Sequence, residues 1–388
     1  MTERLYYENS HTVSFDAAIT SCTEEKGRWV VTLEKSAFFP EGGGQKGDRG
    51  TLGGVPVLDT RERGGEIEHI CAAPLAPGTT VHGVIDWALR FSRMQSHSGE
   101  HIVSGLAHSL WGCENVGFHM AEDTVTLDFD RELTAEQVSE LERRANEAVW
   151  ADLPVRSFFP DAETLASLPF RQKKELTGAV RIVEIEGIDR CACCAPHVFR
   201  AGEIGLIRLV DAMRHRGGVR LTMLAGKNAY AFTTAQGRDC DALSRLFSAP
   251  RTALVPAAER VLAEQEQLKS ALAQAEREAM LRLAAETLET EGNLLRFESP
   301  SRSGAALRLL SDALADKCGG FAAVFAGKDG EGYRYALTSR HADLRMLVRE
   351  MNSALSGRGG GSRELVQGTV SCSRAAIEAW MEGLHGQG

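Results

Sequence analysis

"FSRMQSHSGEHIVSGLAHSLW", Phe91 to Trp111, decides how the middle of the chain is read. Ser92 followed by Gln95 predicts a capping box and a helix start. Met94, His97 and His101 then follow at steps of three and four, with Leu110 farther on and Ser98, Ile102 and Leu106 beside them at steps of four. Side chains four apart leave one face of a helix, so the His97 and His101 rings are expected side by side. Imidazole is a good zinc donor, but zinc takes four donors in a tetrahedral array. The remaining donors must come from elsewhere.

"CACCAPHV", Cys191 to Val198, can supply them. Cys193 and His197 are four apart. Cys191 and Cys194 form a C-x-x-C that could itself be a ligand pair, but Cys193 alone reproduces the four-residue step to His197. Together the two segments offer His97, His101, Cys193 and His197 to one zinc ion. His108 and His119 are read as non-ligands. A competing motif lies inside the same helix. "HSGEH" matches H-x-x-E-H, a metallopeptidase signature with Glu100 as general base. That chemistry needs a third ligand, usually a glutamate on a nearby helix, and no Cys–His pair.

The chain's 388 residues and 43% hydrophobic content allow two or three domains. No export signal and no apolar run near membrane-spanning length is evident. Nine irregularly spaced cysteines then read as mostly reduced thiols in a cytoplasmic protein. A net charge of −9 argues against an all-over basic nucleic-acid binder and leaves room for local patches. Two are visible: Arg208, Arg214, Arg216 and Arg220, and Arg171, Lys173 and Lys174. Ordinary solvated charge explains both equally well.

The expected fold class is α+β and multidomain. Residues 1–88 carry short strands ("HTVSFDAAITSC", "RWVVTLEKS", "TVHGVIDW") around a turn-dense loop, "FFPEGGGQKGDRGTLGG", and predict a small β-barrel-like domain. Residues 89–245 predict a mixed α/β domain. It includes the strand "VTLDF" and the helix "LTAEQVSELERRANEAVW", with a Thr134–Gln137 capping box and a Leu133–Val138 staple. "VRIVEI" and "IGLIRLV" predict strands flanking the cysteine cluster. Pro250 and Pro256 predict a break before a long helix. Its seam (Val261, Gln265, Leu268, Leu272, Ala275, Ala279) alternates steps of four and three. Residues 246–292 thus read as a helical, coiled-coil-like arm, and 293–388 as a separate α/β domain.

These motifs, in this order, resemble a known family. "MQSHSGEHIVSGL" resembles the M-x-x-H-[ST]-x-x-H helix of the alanyl-tRNA synthetase editing domain, and "CCAPHV" its C-x-x-x-H-V partner. "EKSAFFPEGGGQKGDRG" resembles the glycine-rich loop of the small domain before it. "GGGSRELVQG" resembles the signature of the C-terminal domain after it. Nothing matches an aminoacylation domain, so the likeness is to freestanding alanyl-tRNA editing proteins in their long form. The resemblance implies zinc-dependent hydrolysis of the ester joining serine, and glycine as a second candidate, to tRNA for alanine. It implies His97, His101, Cys193 and His197 as ligands of one zinc per chain. It implies substrate contacts from Ser36, Gly43, Gly44 and Gln45, and tRNA contacts from the C-terminal domain through Gly359, Gly360 and Gly361. Arg214 and Arg216 are the matching candidates from the basic stretch. No general base is identified, and Glu100 stands as an outside candidate. Zinc with four protein donors suits positioning; with one ligand loose it could polarise water or substrate. Ser36 stands where relatives carry threonine, and Cys194, Ala195 and Pro196 where they carry Gly-Gly-Thr. Homodimerisation through the exposed seam is a further expectation. The competing expectations are an H-x-x-E-H metallopeptidase and a non-catalytic RNA-binding protein with a structural zinc.

Overall fold

The computed structural model describes residues 1–172 and 179–385, and the chain divides into two compact units, Met1–Asp241 and Ala242–Gly388. Lys173 and Lys174 lie outside the described residues. No helix among the described residues is long and apolar enough to cross a membrane.

The first unit opens with six strands: β1 (Ser14–Glu25), β2 (Arg28–Leu33), β3 (Gly50–Leu52), β4 (Val55–Arg63), β5 (Glu66–Cys71) and β6 (Thr80–Ile85). They close into a barrel in the order β1-β2-β5-β4-β3-β6, which leaves no free edge. Alternation builds it: along β6 every second residue is buried. Phe15, Ile19, Val31, Leu33, Leu52, Val57 and Val81 fill the interior with Phe38.

Helix α1 (Trp87–Trp111) follows β6 directly. It starts earlier than the Ser92–Gln95 pattern predicts. Asp86 is the cap, its carboxylate accepting from the Leu89 N–H at 3.1 Å. Ser92 and Gln95 are interior, and the Gln95 amide instead donates to the Glu203 carbonyl at 2.8 Å. Trp87 and Phe91 extend the apolar face backwards onto the core, which is why the helix continues past the local signal. Gly112, at φ 63°, ends it in the left-handed cap that glycine favours.

Two sheets pack with α1. β7 (Asn115–Met120), β8 (Val125–Phe129), β12 (Ile207–His215) and β13 (Gly218–Ala225) form one, ordered β12-β13-β8-β7. β9 (Val155–Phe158), β10 (Ile182–Ile185) and β11 (Asp189–Ala192) form the other. Helix α2 (Ala135–Trp150) carries the expected capping box, with Thr134 and Gln137 exchanging bonds of 3.2 and 2.8 Å. Leu133 and Val138 pack on the core beside it.

In the second unit, helix α3 (Leu254–Glu286) begins before Pro256 rather than after it. Pro256 is its third residue, where the backbone N–H would have no helical partner anyway. Met280 and Ala284 near its end pack against Leu307, Leu310 and Leu314 of α4 (Gly304–Ala315). Val261, Leu268 and Leu272 of the predicted seam are exposed. The sheet runs β14-β15-β16-β18-β17, from β14 (Leu294–Glu298), β15 (Phe321–Lys328), β16 (Gly332–Ser339), β17 (Gly357–Gly361) and β18 (Leu365–Val370). The glycine run thus lies on an edge strand.

Candidate metal centre

His97 and His101 leave α1 one turn apart, their rings stacked with centroids 5.5 Å apart. Cys193 and His197 follow β11 and fold back onto that face. The four donor atoms lie within 4.8 Å of one another. Cys193 Sγ is 3.5 Å from His97 Nε2 and 3.4 Å from His197 Nε2. A tetrahedral zinc with usual bond lengths has an N···S edge of about 3.6 Å, so these spacings fit such an ion.

The far side of each ring makes the same point. His97 Nδ1 donates to Gln45 Oε1 (3.1 Å), and His101 Nδ1 to Asp189 Oδ2 (2.9 Å). His197 Nδ1 meets the Ser98 hydroxyl at 3.0 Å. With every Nδ1 engaged, a neutral ring that donates from Nδ1 turns its Nε2 lone pair toward the thiol. Metal-bound histidines are oriented in this way. Arg171 anchors Asp189 through two bonds of 2.7 and 2.9 Å.

The electrostatics of Cys193 and His197 agree. Burial alone would raise the Cys193 thiol, but His97 and His197 outweigh it and hold the group well below its ordinary value. Burial, with Cys193 opposing and the other two imidazoles adding, pushes His197 down to about 3, keeping it neutral. Burial also works against a proton on His101, yet Asp189, Cys193 and Glu100 together raise it well above the ordinary value. Cys193 and His197 are thus held in the thiolate and neutral states that zinc requires, whereas His101 has to release a proton when a metal binds.

The neighbouring cysteines are placed differently. Burial pushes the Cys191 thiol up. Cys194 is pushed up to about 11 by burial first and Cys193 second, and its sulfur turns toward Gly42 and Gly43. His108 pairs with Glu114 at 2.9 Å, away from the donor cluster. Glu100 is fully buried; its Oε1 accepts from Ser104 (2.7 Å) and Asn115 (2.8 Å), and its Oε2 lies 3.9 Å from His101 Nε2.

The glycine loop reaches this cluster from the barrel. Gly42 and Gln45 exchange backbone bonds of 3.0 Å, and Gly43 and Gly44 between them have φ of 58° and 82°. A type I′ turn needs such values at both central residues. A Cβ on Gly44 would also strike the Phe118 ring at 2.5 Å. These glycines therefore meet internal demands first. Ser36 is fully buried. Its hydroxyl donates to His69 Nε2 (2.8 Å) and accepts from the Phe38 N–H (3.1 Å), while His69 Nδ1 donates to the Val31 carbonyl (2.9 Å). Ser36→Ala strands a buried imidazole nitrogen and is expected to cost about 1–3 kcal/mol in denaturant unfolding, with metal content unchanged.

None of the other candidates belongs to the donor cluster. Arg214 pairs with Glu132 at 3.2 Å, and Arg216 sits at the β12–β13 tip with φ 48°. Arg208 pairs with Glu142 (3.3 Å) and Arg220 with Asp128 (2.6 Å), so much of that basic stretch is neutralised. Gly359 and Gly361 face strand β18, where a Cβ would come within 2.3 and 2.2 Å of carbonyl oxygens; Gly360 faces open space. Asp189, Arg171's hold on it and the Ser98 contact were not read as site features from sequence. No motif marks Asp189, two residues before Cys191.

Residues 180–221, which include Cys193 and His197, match the family model described as "Threonyl and Alanyl tRNA synthetase second additional domain". The "Alanyl-tRNA editing protein AlaX-L" of Pyrococcus horikoshii is 27% identical over 97% of this chain and 96% of its own length. This chain resembles a freestanding alanyl-tRNA editing protein. The "Alanyl-tRNA editing protein Aarsd1-B" of Xenopus laevis is 34% identical over 53% of this chain and 51% of its own length. The "Alanine--tRNA ligase" of Thermofilum pendens is 30% identical over 99% of this chain and 44% of its own. The chain thus spans about half the length of several curated relatives it matches.

Proposed function

We propose that this chain hydrolyses the ester linking a wrong amino acid to tRNA for alanine, acting in trans, with serine the main amino acid removed and glycine the second. The reading is carried by the four-donor cluster with Gln45 against it, together with the likeness to editing proteins along the chain. Gln45 is fully buried, and its Nε2 finds no partner among the described residues. Its Oε1 is held by His97, which fixes the direction of the free N–H. A buried donor without a partner costs about 1–3 kcal/mol, so a substrate oxygen that accepts from it gains that much in the complex.

Zinc bound by His97, His101, Cys193 and His197 would supply Lewis acidity and a fixed point for substrate groups. The chain's own residues do the rest. Gln45 Nε2 donates toward the ester carbonyl, where negative charge gathers as water attacks. Cys193 alone of the four donors is partly exposed, so substrate approaches from its side, along Cys194 and Gly43. Glu100 remains a candidate for handling the water's proton. Arg214 and Arg216 at their hairpin tip, and the Gly359–Gly361 edge, are the proposed contacts for the tRNA backbone. The peptidase reading is less well supported, because the Cys193–His197 pair occupies the places that such an enzyme leaves for a glutamate ligand and water.

A deacylation panel tests the proposal: tRNA for alanine charged with serine, glycine or alanine, and tRNA for threonine charged with serine, beside casein. Serine and glycine are expected to be released from the alanine tRNA, with alanine spared and casein intact. Casein cleavage without deacylation would establish the peptidase instead. RNA binding without turnover of either substrate would leave a structural zinc protein.

A further inference from the structure

Helix α1 does more than carry two donors. Arg90, Arg93, His97 and His101 are spaced three, four and four residues apart, which places them within roughly an 80° arc at about 100° per residue. The loop from Gln45 to Asp48 lies along this stripe in the opposite direction. Arg90 Nε donates to Asp48 Oδ2 at 2.7 Å, and its Nη2 makes a second, shorter bond to the same oxygen. Arg90 also donates to the carbonyls of Ser10 (3.0 Å) and Ala37 (2.5 Å). This pair is 0% and 1% exposed. One turn on, Arg93 donates to the carbonyls of Gly47 (2.8 Å) and Lys46 (3.3 Å). One turn further, His97 donates to Gln45.

The loop is held from its other side as well. Asp48 Oδ2 accepts from the Phe39 N–H at 2.7 Å, and the Asp48 carbonyl accepts from the Thr60 hydroxyl at 2.9 Å. A Cβ on Gly47 would meet the Thr60 carbonyl at 2.0 Å, so the loop cannot thicken there.

We propose that Arg90 and Arg93 are positioning residues: a two-rung guanidinium ladder that sets the Gln45 amide against His97 Nδ1, and so fixes both the ligand's orientation and the direction of Gln45 Nε2. Arg90 carries the buried load, because an unpaired Asp48 in that environment is costly. Arg93 is the adjustable rung. It hydrogen-bonds two carbonyls at the edge of the loop, lies 4.0 Å from Asp48 Oδ1, and keeps 11% side-chain exposure. Neither arginine needs to touch substrate.

This inference rests on the proposed hydrolysis only for its kinetic readout. Arg90→Met is expected to unfold the protein, so the test uses Arg93 in the full chain. Arg93→Met should keep stoichiometric zinc while kcat for deacylation falls about 10–100-fold and KM changes little, the size usual for loss of a group supporting a metal ligand. In the cobalt-substituted protein its visible absorption bands should shift as those of Gln45→Ala do. Arg93→Lys, which can still donate to the carbonyls, should restore both. The double variant should be no worse than Gln45→Ala alone, because both lesions act through one contact. Unchanged bands in Arg93→Met, or losses that add fully to those of Gln45→Ala, would overturn the ladder. Should the wild type release no amino acid from any charged tRNA, the proposed function fails, and the cobalt bands alone decide the ladder either way.

Discussion

Cys193→Ala is expected to lose the proposed zinc and the proposed esterase activity together. Cys193 is the sole thiolate among the four donors, and the three imidazoles facing it are neutral when they ligate. Taking the anion away leaves a divalent cation in a buried site with no charged ligand. Losing a group that only supports a ligand weakens metal binding about 10–100-fold, and losing the ligand itself should exceed that. The fall in activity should be at least as large. A metal that binds only the folded chain stabilises it by about 2.7 kcal/mol at a hundred times its dissociation constant. A chelator should therefore lower the wild-type melting temperature and leave that of Cys193→Ala unmoved. Cys194→Ala is the control: its sulfur faces Gly42 and Gly43 outside the donor set, and metal should be retained. Metal content and serine release measured on one preparation decide the matter. A metal-free Cys193→Ala protein with full activity would sink the zinc assignment.

Gly105→Ala should separate the two halves of the site without changing a ligand. Gly105 lies on α1, one turn beyond His101. A Cβ there would sit 2.5 Å from the Ile188 carbonyl oxygen and 2.7 Å from Asp189 Cβ. Both neighbours belong to the β10–β11 turn and the start of β11, so relief requires the strand to move off the helix. Asp189 would move with it and release His101 Nδ1, now bonded at 2.9 Å. Two effects compete. Alanine is favoured over glycine inside a helix by about 1 kcal/mol. Overpacking a tight contact costs about 1–3 kcal/mol. Because one colliding atom is backbone, the second should win. Net destabilisation is expected in denaturant unfolding, with metal affinity down about 10–100-fold in a competition titration. A more stable variant with unchanged affinity would show that helix and strand do not meet as described.

The legible parts of the sequence were those written in short spacings. The four-residue step of His97–His101 puts that pair on one face of its helix, and it meets Cys193 and His197, which lie in an irregular segment after β11. The Thr134–Gln137 box is equally local, and it forms. The misread positions were those where a local signal had a rival farther along the chain. Ser92–Gln95 fits a cap, but burial of Trp87 and Phe91 carries the helix back to Asp86. Pro256 resembles a break until its place in the first helical turn makes its missing N–H harmless.

Residue chemistry and spacing alone determined which side chains could hold a metal, and the periodicity of the elements that carry them. Only the tertiary structure decided that Asp189, Ser98 and Gln45 each hold the far nitrogen of a different histidine. It also decided that Ser36 is bound to His69 inside the barrel, and that Arg90 and Arg93 fasten the barrel's loop to the helix. Those partners are separated by up to about a hundred residues, and hydrogen bonds act over a few ångströms. No spacing in the chain encodes such contacts; they exist only once burial has brought the barrel, helix and strands together.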